Sequence, residues 1–443
     1  MNFRTLISVP GLLLLTLAQA GAQDNYLLGV KTSDLSSVAA KHHLVVVNDI
    51  EDSGGSYLVR FSSGMGQHSQ AASLVADPAV SSVEPDLPLT SPEQSARVKA
   101  VIGQLSDALA ASSVVPFYGS QVRSAYIQQT ATNLLELSAA RQITTGAGIV
   151  AVIDTGVDPF HPALAGALVQ GYDFTRNQAT VPNELQDLDP VNFSAMANSS
   201  VASETTKTQP LQLQGSTVAI LDQSTVAILD GATLPLTFGH GTMTAGLIHL
   251  VAPTASIMPL KAFNADGSAN LSDIVRAIYF AVDHGARVIN MSFDIEIPSA
   301  QLRNAIDYAN ENRVICVAAA GNDGEQEIVY PAILSKVIGV GSTDNSDQRS
   351  SFSNYGTNSV FMAAPGEGLI TTFPGSNYAG VWGTSFSTAL VSGTVAALVQ
   401  LDPELEYSDA ADALSAGVNI PNQQLGRDRL DVLRAVESFL HQR

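Results

Sequence analysis

From residue 134 to the C-terminus, continuous apolar segments alternate with segments of helical periodicity. The patterns predict strands over 148–153, 256–262, 288–292 and 314–319, and helices over 240–250, 270–284 and 300–311. Apolar runs without polar alternation are typical of strands that are buried on both faces of a sheet. Strands that alternate with helices favour a parallel sheet with helices on both sides. The sequence therefore predicts an α/β fold built on a doubly wound parallel sheet.

A smaller unit precedes this region. Residues 25–90 show strand and helix patterns in the order βαββαβ, with a turn at Ser53-Gly54-Gly55 before the third strand. This order is that of a split βαβ, ferredoxin-like α+β unit. Its length of about 65 residues suffices for a small domain of marginal stability.

The first residues are typical of a secretory signal peptide. Arg4 provides a positive start, residues 6–18 form a short apolar run, and Ala18-Gln19-Ala20 or Ala20-Gly21-Ala22 offers a cleavage site. A hydrophobic N-terminal anchor is the alternative, although the run is short for a bilayer. We therefore expect a secreted, periplasmic or extracellular protein that has no membrane contact once the signal peptide is removed.

These patterns divide the chain into four parts. They are a signal peptide over 1–22, a small domain over 24–90, a helical linker over 91–130 and a large domain over 131–443. A polar insertion over 176–236 interrupts the large domain and contains the segment STVAILD twice, at 216–222 and 224–230. We expect a surface hairpin that arose by local duplication, and a binding element is the alternative.

Charge and cysteine content exclude two classes of protein. The 443 residues include 21 Lys and Arg against 41 Asp and Glu, a formal net charge of −20. Nucleic-acid-binding proteins normally show the opposite, a basic footprint. The only cysteine is Cys316, so neither an intramolecular disulfide nor a cysteine-based zinc site can form. Cys316 lies within a predicted strand, which favours a buried and inert thiol.

Three short segments carry candidate catalytic side chains. Asp154 ends a predicted buried strand, His240 lies at a predicted helix start, and Ser385 lies in GTSFS, which opens another helix. A serine hydroxyl needs a histidine base to become nucleophilic, and the imidazole needs a buried carboxylate to hold it in the correct tautomer. A helix start also stabilises negative charge. We predict that Ser385 is the nucleophile, His240 the base and then the acid, and Asp154 the residue that orients His240.

A fourth segment, AAAGNDG over 318–324, follows a predicted strand. Its small residues allow a substrate to approach closely. The Asn322 amide can donate a hydrogen bond to the oxyanion of a tetrahedral intermediate. We therefore predict that Asn322 contributes to an oxyanion hole.

In chain order, these motifs resemble those of the subtilisin-like serine proteases, the subtilases of the peptidase S8 family. The order aspartate, histidine, serine is the order found in that family. The similarity extends from about residue 134 to the C-terminus. It also includes YPA at 330–332, VIGVGS at 337–342, FS at 352–353, APG at 364–366 and GRDRLD at 426–431.

The resemblance implies a secreted serine endopeptidase that cleaves polypeptides through an acyl-enzyme and needs no cofactor. It implies that substrate backbone pairs with Ser292, Phe293 and Asp294, and that the side-chain pocket lies between these residues and the segment containing Ala320 and Gly321. It also implies that the ferredoxin-like unit is a propeptide, an intramolecular chaperone and inhibitor that blocks the cleft until it is cut. We expect a monomer whose partners are polypeptide substrates and its own propeptide, with no nucleic acid.

The sequence departs from the family pattern near the nucleophile and on the substrate strand. Ala389 stands where the family usually has proline, so we expect a looser helix start and a roomier leaving-group side. Asp294 stands where the family usually has glycine. Its carboxylate either attracts basic side chains or points to solvent.

The family's common calcium site is also altered. Ala163 follows His161-Pro162 where the family has a liganding aspartate, so no metal ligand is predicted there. Calcium binding remains open, because Glu184, Asp187 and Asp189 are acidic residues in the insertion. A solvated acidic loop is the structure that we expect for them.

Two other functions remain open. A catalytically silent subtilase fold that serves as a binding module is favoured by Ala389, Asp294 and the insertion. A peptide ligase or a highly selective processing enzyme is favoured by the roomier leaving-group side. Labelling with a serine-directed phosphonate tests the first alternative, and product analysis with an added amine nucleophile tests the second.

Overall fold

The computed structural model describes residues 25–50, 55–62, 67–90, 113–188, 219–220, 235, 237–356, 359–421 and 423–442. The predicted signal peptide over 1–22 lies outside the described residues, as does the part of the predicted helical linker over 91–112.

The N-terminal unit is a four-stranded antiparallel sheet with two helices. The strand order is β2-β3-β1-β4, and β1 pairs with both β3 and β4. The element order is therefore the predicted βαββαβ, while the role of this unit as a propeptide stays a prediction. Its elements are β1 (Asn25–Val30), α1 (Thr32–His42), β2 (Leu44–Asp49), β3 (Ser56–Phe61), α2 (Gln67–Val75) and β4 (Val80–Pro85).

Both faces of the central strand β1 are buried because side chains alternate along a strand. Leu28 packs into the unit's own core with Val38 and Leu74. Leu27 points to the opposite face, where it belongs to a core cluster made mostly of buried side chains from the large domain. The small sheet thus packs against its own helices on one face and against the large domain on the other.

Residues 113–130 differ from the predicted linker. They form a β-hairpin and a short helix that are anchored to the large domain. Tyr126 is fully buried and its hydroxyl donates to the Gly246 carbonyl at 2.5 Å. The Gln129 side chain bonds both the carbonyl and the amide of Ile370, at 2.7 and 2.8 Å. A few widely spaced anchors, rather than a continuous apolar face, attach the segment, so its sequence has no apolar periodicity. The elements of this region are β5 (Pro88–Thr90), β6 (Val114–Phe117), β7 (Ser120–Arg123), α3 (Ser124–Ile127), α4 (Thr130–Leu134) and α5 (Leu137–Ala140).

The large domain is built on an eight-stranded sheet of order β10-β9-β12-β8-β14-β15-β16-β17. All neighbouring strands are parallel except β10, which pairs antiparallel with β9. The predicted doubly wound parallel sheet is therefore confirmed. The strands are β8 (Ile149–Asp154), β9 (Gly171–Asp173), β10 (Gln178–Thr180), β11 (Ala219–Ile220), β12 (Ser256–Lys261), β13 (Ser268–Asn270), β14 (Ala286–Met291), β15 (Ile315–Ala319), β16 (Val337–Thr343), β17 (Met362–Pro365), β18 (Glu367–Phe373) and β19 (Asn377–Trp382). The helices are α6 (His240–Val251), α7 (Leu271–Asp283), α8 (Ala300–Glu311), α9 (Thr384–Leu401), α10 (Tyr407–Leu414) and α11 (Val432–His441), with 3₁₀ turns at Pro162–Leu164 and Glu184–Asp187.

Helices cover both faces of the sheet. On β8, Val150 and Val152 belong to the core shared with α6 and α9, whereas Ala151 and Ile153 belong to the core shared with α7 and α8. Helix α9 is long and apolar enough to cross a membrane by length and composition, but 89% of that window is buried inside the protein. It is the central core helix of the domain.

The tandem repeat within the insertion is described only in part. Ala219 and Ile220 of the first copy form β11, which pairs antiparallel with Gly380 and Ala379 of β19. The second copy lies outside the described residues, so the predicted hairpin stays a prediction.

Candidate active site

The three candidate catalytic residues lie where strands end and helices begin. Asp154 is the last residue of β8, His240 the first residue of α6, and Ser385 the second residue of α9. The carboxyl edge of a parallel sheet is the usual location of ligand sites in doubly wound folds. The fold therefore brings together residues that are more than 80 positions apart in sequence.

Asp154 holds the ring of His240. The Nδ1 atom of His240 lies 2.7 Å from Asp154 Oδ1 and 2.9 Å from Oδ2. The same carboxylate accepts hydrogen bonds from the Thr155 amide at 2.7 Å and from the Thr244 hydroxyl at 3.1 Å. A carboxylate at Nδ1 favours the tautomer that carries its proton there and leaves the Nε2 lone pair to act as a base.

Ser385 is buried and its hydroxyl donates to the Ser292 carbonyl at 3.1 Å. In return, the Ser292 hydroxyl donates to the Ser385 carbonyl at 2.9 Å. The end of β14 and the first turn of α9 are thus linked by a reciprocal pair of hydrogen bonds.

This link continues into the core. The Asn290 amide donates to the Ser292 hydroxyl at 2.9 Å, and the Ser392 hydroxyl donates to Asn290 Oδ1 at 2.9 Å. The chain of hydrogen bonds starts two turns inside α9, crosses β14 and returns to the first turn of the helix. It fixes the position of the helix start relative to the sheet.

Asn322 is oriented by the residue that precedes Ser385. Its Oδ1 atom accepts hydrogen bonds from both the amide and the hydroxyl of Thr384, each at 2.9 Å. With Oδ1 used in this way, the Nδ2 group is the end of the amide directed away from Thr384. The predicted oxyanion donor is therefore held beside the helix start that carries Ser385.

A buried carboxylate that the sequence did not identify as part of the site lies behind it. Glu184 is 0% exposed, accepts hydrogen bonds from the Thr155 hydroxyl at 2.9 Å and the Gly239 amide at 3.2 Å, and also contacts the Thr242 hydroxyl. Burial raises the pKa of Glu184 to about 8, and the nearby charge of Asp154 raises it further. The hydrogen bonds from Thr242 and Thr155 act in the opposite direction and lower the pKa. Glu184 links the turn after β8 to the start of α6.

The expectation of a solvated acidic loop is therefore wrong for Glu184 and Asp187. Asp187 accepts a hydrogen bond at 2.7 Å from Lys261, whose side chain is fully buried. Lys261 also donates to the carbonyls of Thr155 and Phe263 at 2.8 and 2.7 Å. A buried cation needs such partners, but sequence spacing does not reveal the pairing. Asp189 lies outside the described residues.

The predicted substrate-binding residues flank the candidate triad. Ser292 and Phe293 line a cleft, Ala320 and Gly321 are buried at the end of β15, and Phe293 packs against Phe263 at 5.1 Å between ring centroids. The cleft is lined by Ile153, Asp154, Thr155, Thr237, His240, Phe263, Ser292 and Phe293.

Asp294 does not point to solvent, so that alternative is wrong. The residue is 9% exposed, and its Oδ1 atom is buried without a hydrogen-bond partner. Burial raises the pKa of Asp294 to about 8, and the nearby carboxylates of Asp323, Glu296 and Glu327 add to the increase.

Metal-binding residues do not converge in the part of the chain that the structure describes. No three His, Cys, Asp or Glu side chains there are placed to hold a metal ion. At the altered calcium position, His161 instead binds the Asn377 carbonyl through Nε2 at 2.8 Å and accepts from the Ala163 amide through Nδ1. Cys316 is fully buried, and burial raises the pKa of its thiol to about 12.

A histidine held by a buried carboxylate, close to a serine at a helix start on a doubly wound sheet, defines a candidate serine hydrolase of the Asp-His-Ser type. Comparison with known proteins identifies the family. A model of the subtilase family, peptidase S8, matches residues 146–426. The chain belongs to the subtilase family, as its motifs predicted.

Two relatives show how far the similarity extends. Thermitase from Thermoactinomyces vulgaris is 33% identical over 270 residues, which cover 58% of this chain and 77% of thermitase. A thermophilic serine proteinase from Bacillus sp. (strain AK1) is 35% identical over 249 residues, which cover 56% of this chain. The aligned part spans about half, 51%, of that proteinase.

Solved structures share the fold. Fervidolysin from Fervidobacterium pennivorans, described as a keratinolytic enzyme related to subtilisin, matches with a TM-score of 0.66 at 20% identity. The match covers 94% of this chain and 61% of fervidolysin. A cold-adapted subtilisin-like serine proteinase matches with a TM-score of 0.51 at 25% identity, covering 66% of this chain and 91% of that chain.

Proposed function

We propose that this protein is an exported serine endopeptidase, made as an autoinhibited precursor, that hydrolyses polypeptides through an acyl-enzyme. The observation that carries the proposal is the Asp154–His240 hydrogen bond, with the His240 ring centroid 5.5 Å from that of Phe386, the residue directly after Ser385. Family membership adds support, because one relative is named a thermophilic serine proteinase and one solved structure a subtilisin-like serine proteinase.

In the first step, the Ser385 hydroxyl turns from the Ser292 carbonyl towards Nε2 of His240. His240 takes the proton while Oγ attacks the carbonyl carbon of the substrate, and Asp154 stabilises the imidazolium that forms. The oxyanion is held by the Asn322 amide and by a backbone N–H of the first turn of α9, because the first four N–H groups of a helix have no intrahelical acceptor.

The intermediate then collapses. His240 gives its proton to the leaving amine, which departs and leaves an ester on Ser385. Water attacks that ester, with His240 again taking a proton, and the second collapse releases the acid and restores the Ser385 hydroxyl. Apart from the substrate and one water molecule, each step uses side chains and main-chain groups of this protein.

Autoinhibition is supported by three contacts of the N-terminal unit. Strand β5 pairs antiparallel with β13, with Leu89 opposite Ala269. Ala269 also bridges to Phe263, which lines the cleft. The tail of the N-terminal unit thus lies along a strand edge beside the site, as an extended peptide substrate would.

The other two contacts are carboxylates at helix starts. Glu84 accepts hydrogen bonds from the Ser299 hydroxyl at 2.7 Å and the Gln301 amide at 2.9 Å, at the start of α8. Asp86 accepts from the amide and hydroxyl of Ser272, each at 2.9 Å, at the start of α7. Negative charge at a helix N-terminus is favourable, so both contacts hold the unit in place.

The test compares the chain from Gln23 onward with its Ser385→Ala twin. Intact mass, casein hydrolysis and labelling by a fluorophosphonate are followed over time. We expect only the wild type to shorten itself, degrade casein and take the label, and the cut mass then gives the maturation site. A folded wild type that stays full length, inert and unlabelled would refute the proposal and favour a silent binding module.

A further inference from the structure

The carboxylate of Asp294 lies against the backbone that carries the candidate oxyanion donor. A Cβ atom built on Gly321 would come within 2.7 Å of Asp294 Oδ2. Gly321 directly precedes Asn322, and Asp294 lies two residues after Ser292, whose carbonyl accepts from Ser385. Asp294 therefore lies between the end of β14 and the end of β15, in what we call the gap. Through Ser292 and Gly321 it is close in the chain to the groups that contact Ser385 and carry Asn322.

This gap is where the side chain of the residue supplying that carbonyl has to go. The scissile carbonyl must lie between Ser385 Oγ and the Asn322 amide. The side chain of the substrate residue that supplies this carbonyl branches from the α-carbon next to it. Gly321 has a φ of +95° and no Cβ, and the Asn354 amide and the Asp294 carboxylate are the side-chain groups nearest to the place that a Cβ would take. Ile295 and Tyr330 exchange two backbone hydrogen bonds of 2.8 Å, which fix the segment after Asp294.

One oxygen of the carboxylate lacks a hydrogen-bond partner. Asp294 Oδ1 is buried and has no hydrogen-bond partner. Burying an unpaired ionised carboxylate is costly, and a cation or a proton removes the cost. Glu296 on the same segment, Asp323 after β15 and Glu327 before Tyr330 all act on Asp294 as like charges. Together they make the gap attractive to positive charge.

A metal ion is a poorer candidate for that charge. Within the described ranges, no three acidic or histidine side chains converge on a common point. Glu296 and Asp323 are exposed, whereas Asp294 is buried and shares the space beside Gly321 with the neutral amide of Asn354. One buried carboxylate with exposed acidic groups nearby suits a long side chain with a terminal cation.

We propose that Asp294 is a specificity-determining residue that selects lysine or arginine at the substrate position supplying the scissile carbonyl. The inference rests on the proposed peptidase function. The guanidinium or ammonium pairs with the Asp294 carboxylate, and a proton held by Asp294 in the free enzyme is released to solvent on binding. Preference for basic over neutral side chains therefore rises with pH up to about 8, the pKa to which burial raises Asp294.

The test uses fluorogenic peptides that differ only at this position and carry Arg, Lys, citrulline, Leu or Glu. Citrulline matches arginine in shape but has no charge, so the Arg-to-citrulline ratio of kcat/KM isolates the ion pair. We expect a ratio of about 30 or more, equivalent to ~2 kcal/mol, the lower end for a buried charge pair. In Asp294→Asn, the ratio should fall about 10-fold or more, because the Arg peptide loses its ion pair and the citrulline peptide has none to lose.

The outcomes separate the inference from the function on which it rests. An enzyme that takes the fluorophosphonate and cleaves the Leu peptide, but does not prefer Arg over citrulline, overturns the inference alone. An unchanged ratio in Asp294→Asn does the same. If that variant fails to fold, the wild-type ratio and its rise between pH 6 and 8 decide the question. No labelling and no cleavage of any peptide would overturn the peptidase function and the inference with it.

Discussion

Ser292 and Ser385 exchange hydrogen bonds: each hydroxyl donates to the main-chain carbonyl of the other, at 2.9 and 3.1 Å. The Ser292 hydroxyl is also the acceptor for Asn290, so it joins the helix start to the sheet. The candidate nucleophile is therefore positioned by a buried polar network rather than by apolar packing alone. Such networks are costly to break because each orphaned buried group loses its hydrogen bond without regaining water.

Replacing Ser292 by Ala should destabilise the fold. The Asn290 amide and the Ser385 carbonyl each lose a partner, and we expect a loss of about 1–3 kcal/mol in the free energy of unfolding. Denaturant unfolding in the Ser385→Ala background measures this without self-digestion. Ser62→Ala, at an exposed hydroxyl that bonds the His43 carbonyl, is the control and should change stability little. Equal stability of the Ser292 and Ser62 variants would contradict the argument.

Asn322→Ala should reduce turnover without removing substrate binding. The Nδ2 group is needed only when the oxyanion forms, and loss of one such donor in subtilisin costs roughly 10²–10³ in turnover. We expect kcat to fall by that order while KM changes little. Steady-state kinetics on a peptide substrate provides the measurement.

Thr384→Val supplies a related check on the same group. It removes the hydroxyl hydrogen bond to Asn322 Oδ1 but keeps the amide one, so its loss of kcat should be smaller. A larger effect for Thr384→Val than for Asn322→Ala would argue against Asn322 as the oxyanion donor.

Glu184 should make stability depend on pH. Burial raises its pKa from the ordinary 4.5 to about 8, so between these values the native state holds a proton that the unfolded state has lost. The free energy of unfolding should therefore be greatest at the acidic end of this window and fall as pH rises through it. In Glu184→Gln the fall should be smaller, as measured by denaturant unfolding from pH 5 to 8 in the Ser385→Ala background. The exposed Glu437→Gln should keep the wild-type pH dependence, and identical slopes in both variants would rule out this role.

Removing the two carboxylates at the helix starts should shorten the latent phase of the precursor. Glu84→Ala loses three hydrogen bonds to the start of α8, and Asp86→Ala loses two to the start of α7. Hydrogen bonds to charged groups contribute about 1.5–3 kcal/mol each, so docking of the N-terminal unit should weaken. The lag before casein hydrolysis measures release in the full chain.

The same docking can be measured without catalysis. In the Ser385→Ala background, amide hydrogen exchange at β5 should speed up in both variants, whereas Asp49→Ala, at an exposed carboxylate of β2, should leave it unchanged. Circular dichroism checks that each variant has folded. Folded variants with a wild-type lag and wild-type exchange would show that these carboxylates do not hold the unit in place.

Much of the fold could be predicted because the spacing of apolar residues along the sequence indicates which faces of each strand and helix are buried. The strand predicted over 256–262 is observed as Ser256–Lys261, and the helix predicted over 300–311 as Ala300–Glu311. Short motifs also predicted Asp154, His240 and Ser385 as candidate catalytic residues, because such signatures are local in sequence, and the fold brings Asp154 within hydrogen-bond distance of His240. The hairpin and helix around Tyr126 escaped prediction because their anchoring contacts reach residues 120 to 241 positions away.

The polar interior was harder to predict for the same reason. Glu184 and Lys261 are charged residues that read as surface in any sequence window, yet both are fully buried. Their partners are Thr242, Thr155 and Asp187, which lie 29 to 106 positions away along the chain. Only the tertiary fold shows that Glu184 is hydrogen-bonded and that Lys261 is paired with Asp187. For Asp294, the sequence itself shows the departure from the family pattern. Only the structure shows that its Oδ1 atom is buried without a hydrogen-bond partner.

The contact between Gly241 and Gly156 also determines how the site can change. A Cβ atom on residue 241 would lie 1.8 Å from the Gly156 carbonyl oxygen, an impossible distance. Main chain therefore touches main chain between the strand that carries Asp154 and the helix that carries His240. Substitutions can tune what enters the cleft, but the spacing of these two residues is set by the absence of any side chain at 241. Side chains that line the cleft can consequently change one by one, whereas any side chain at residue 241 would disturb the Asp154–His240 spacing at once.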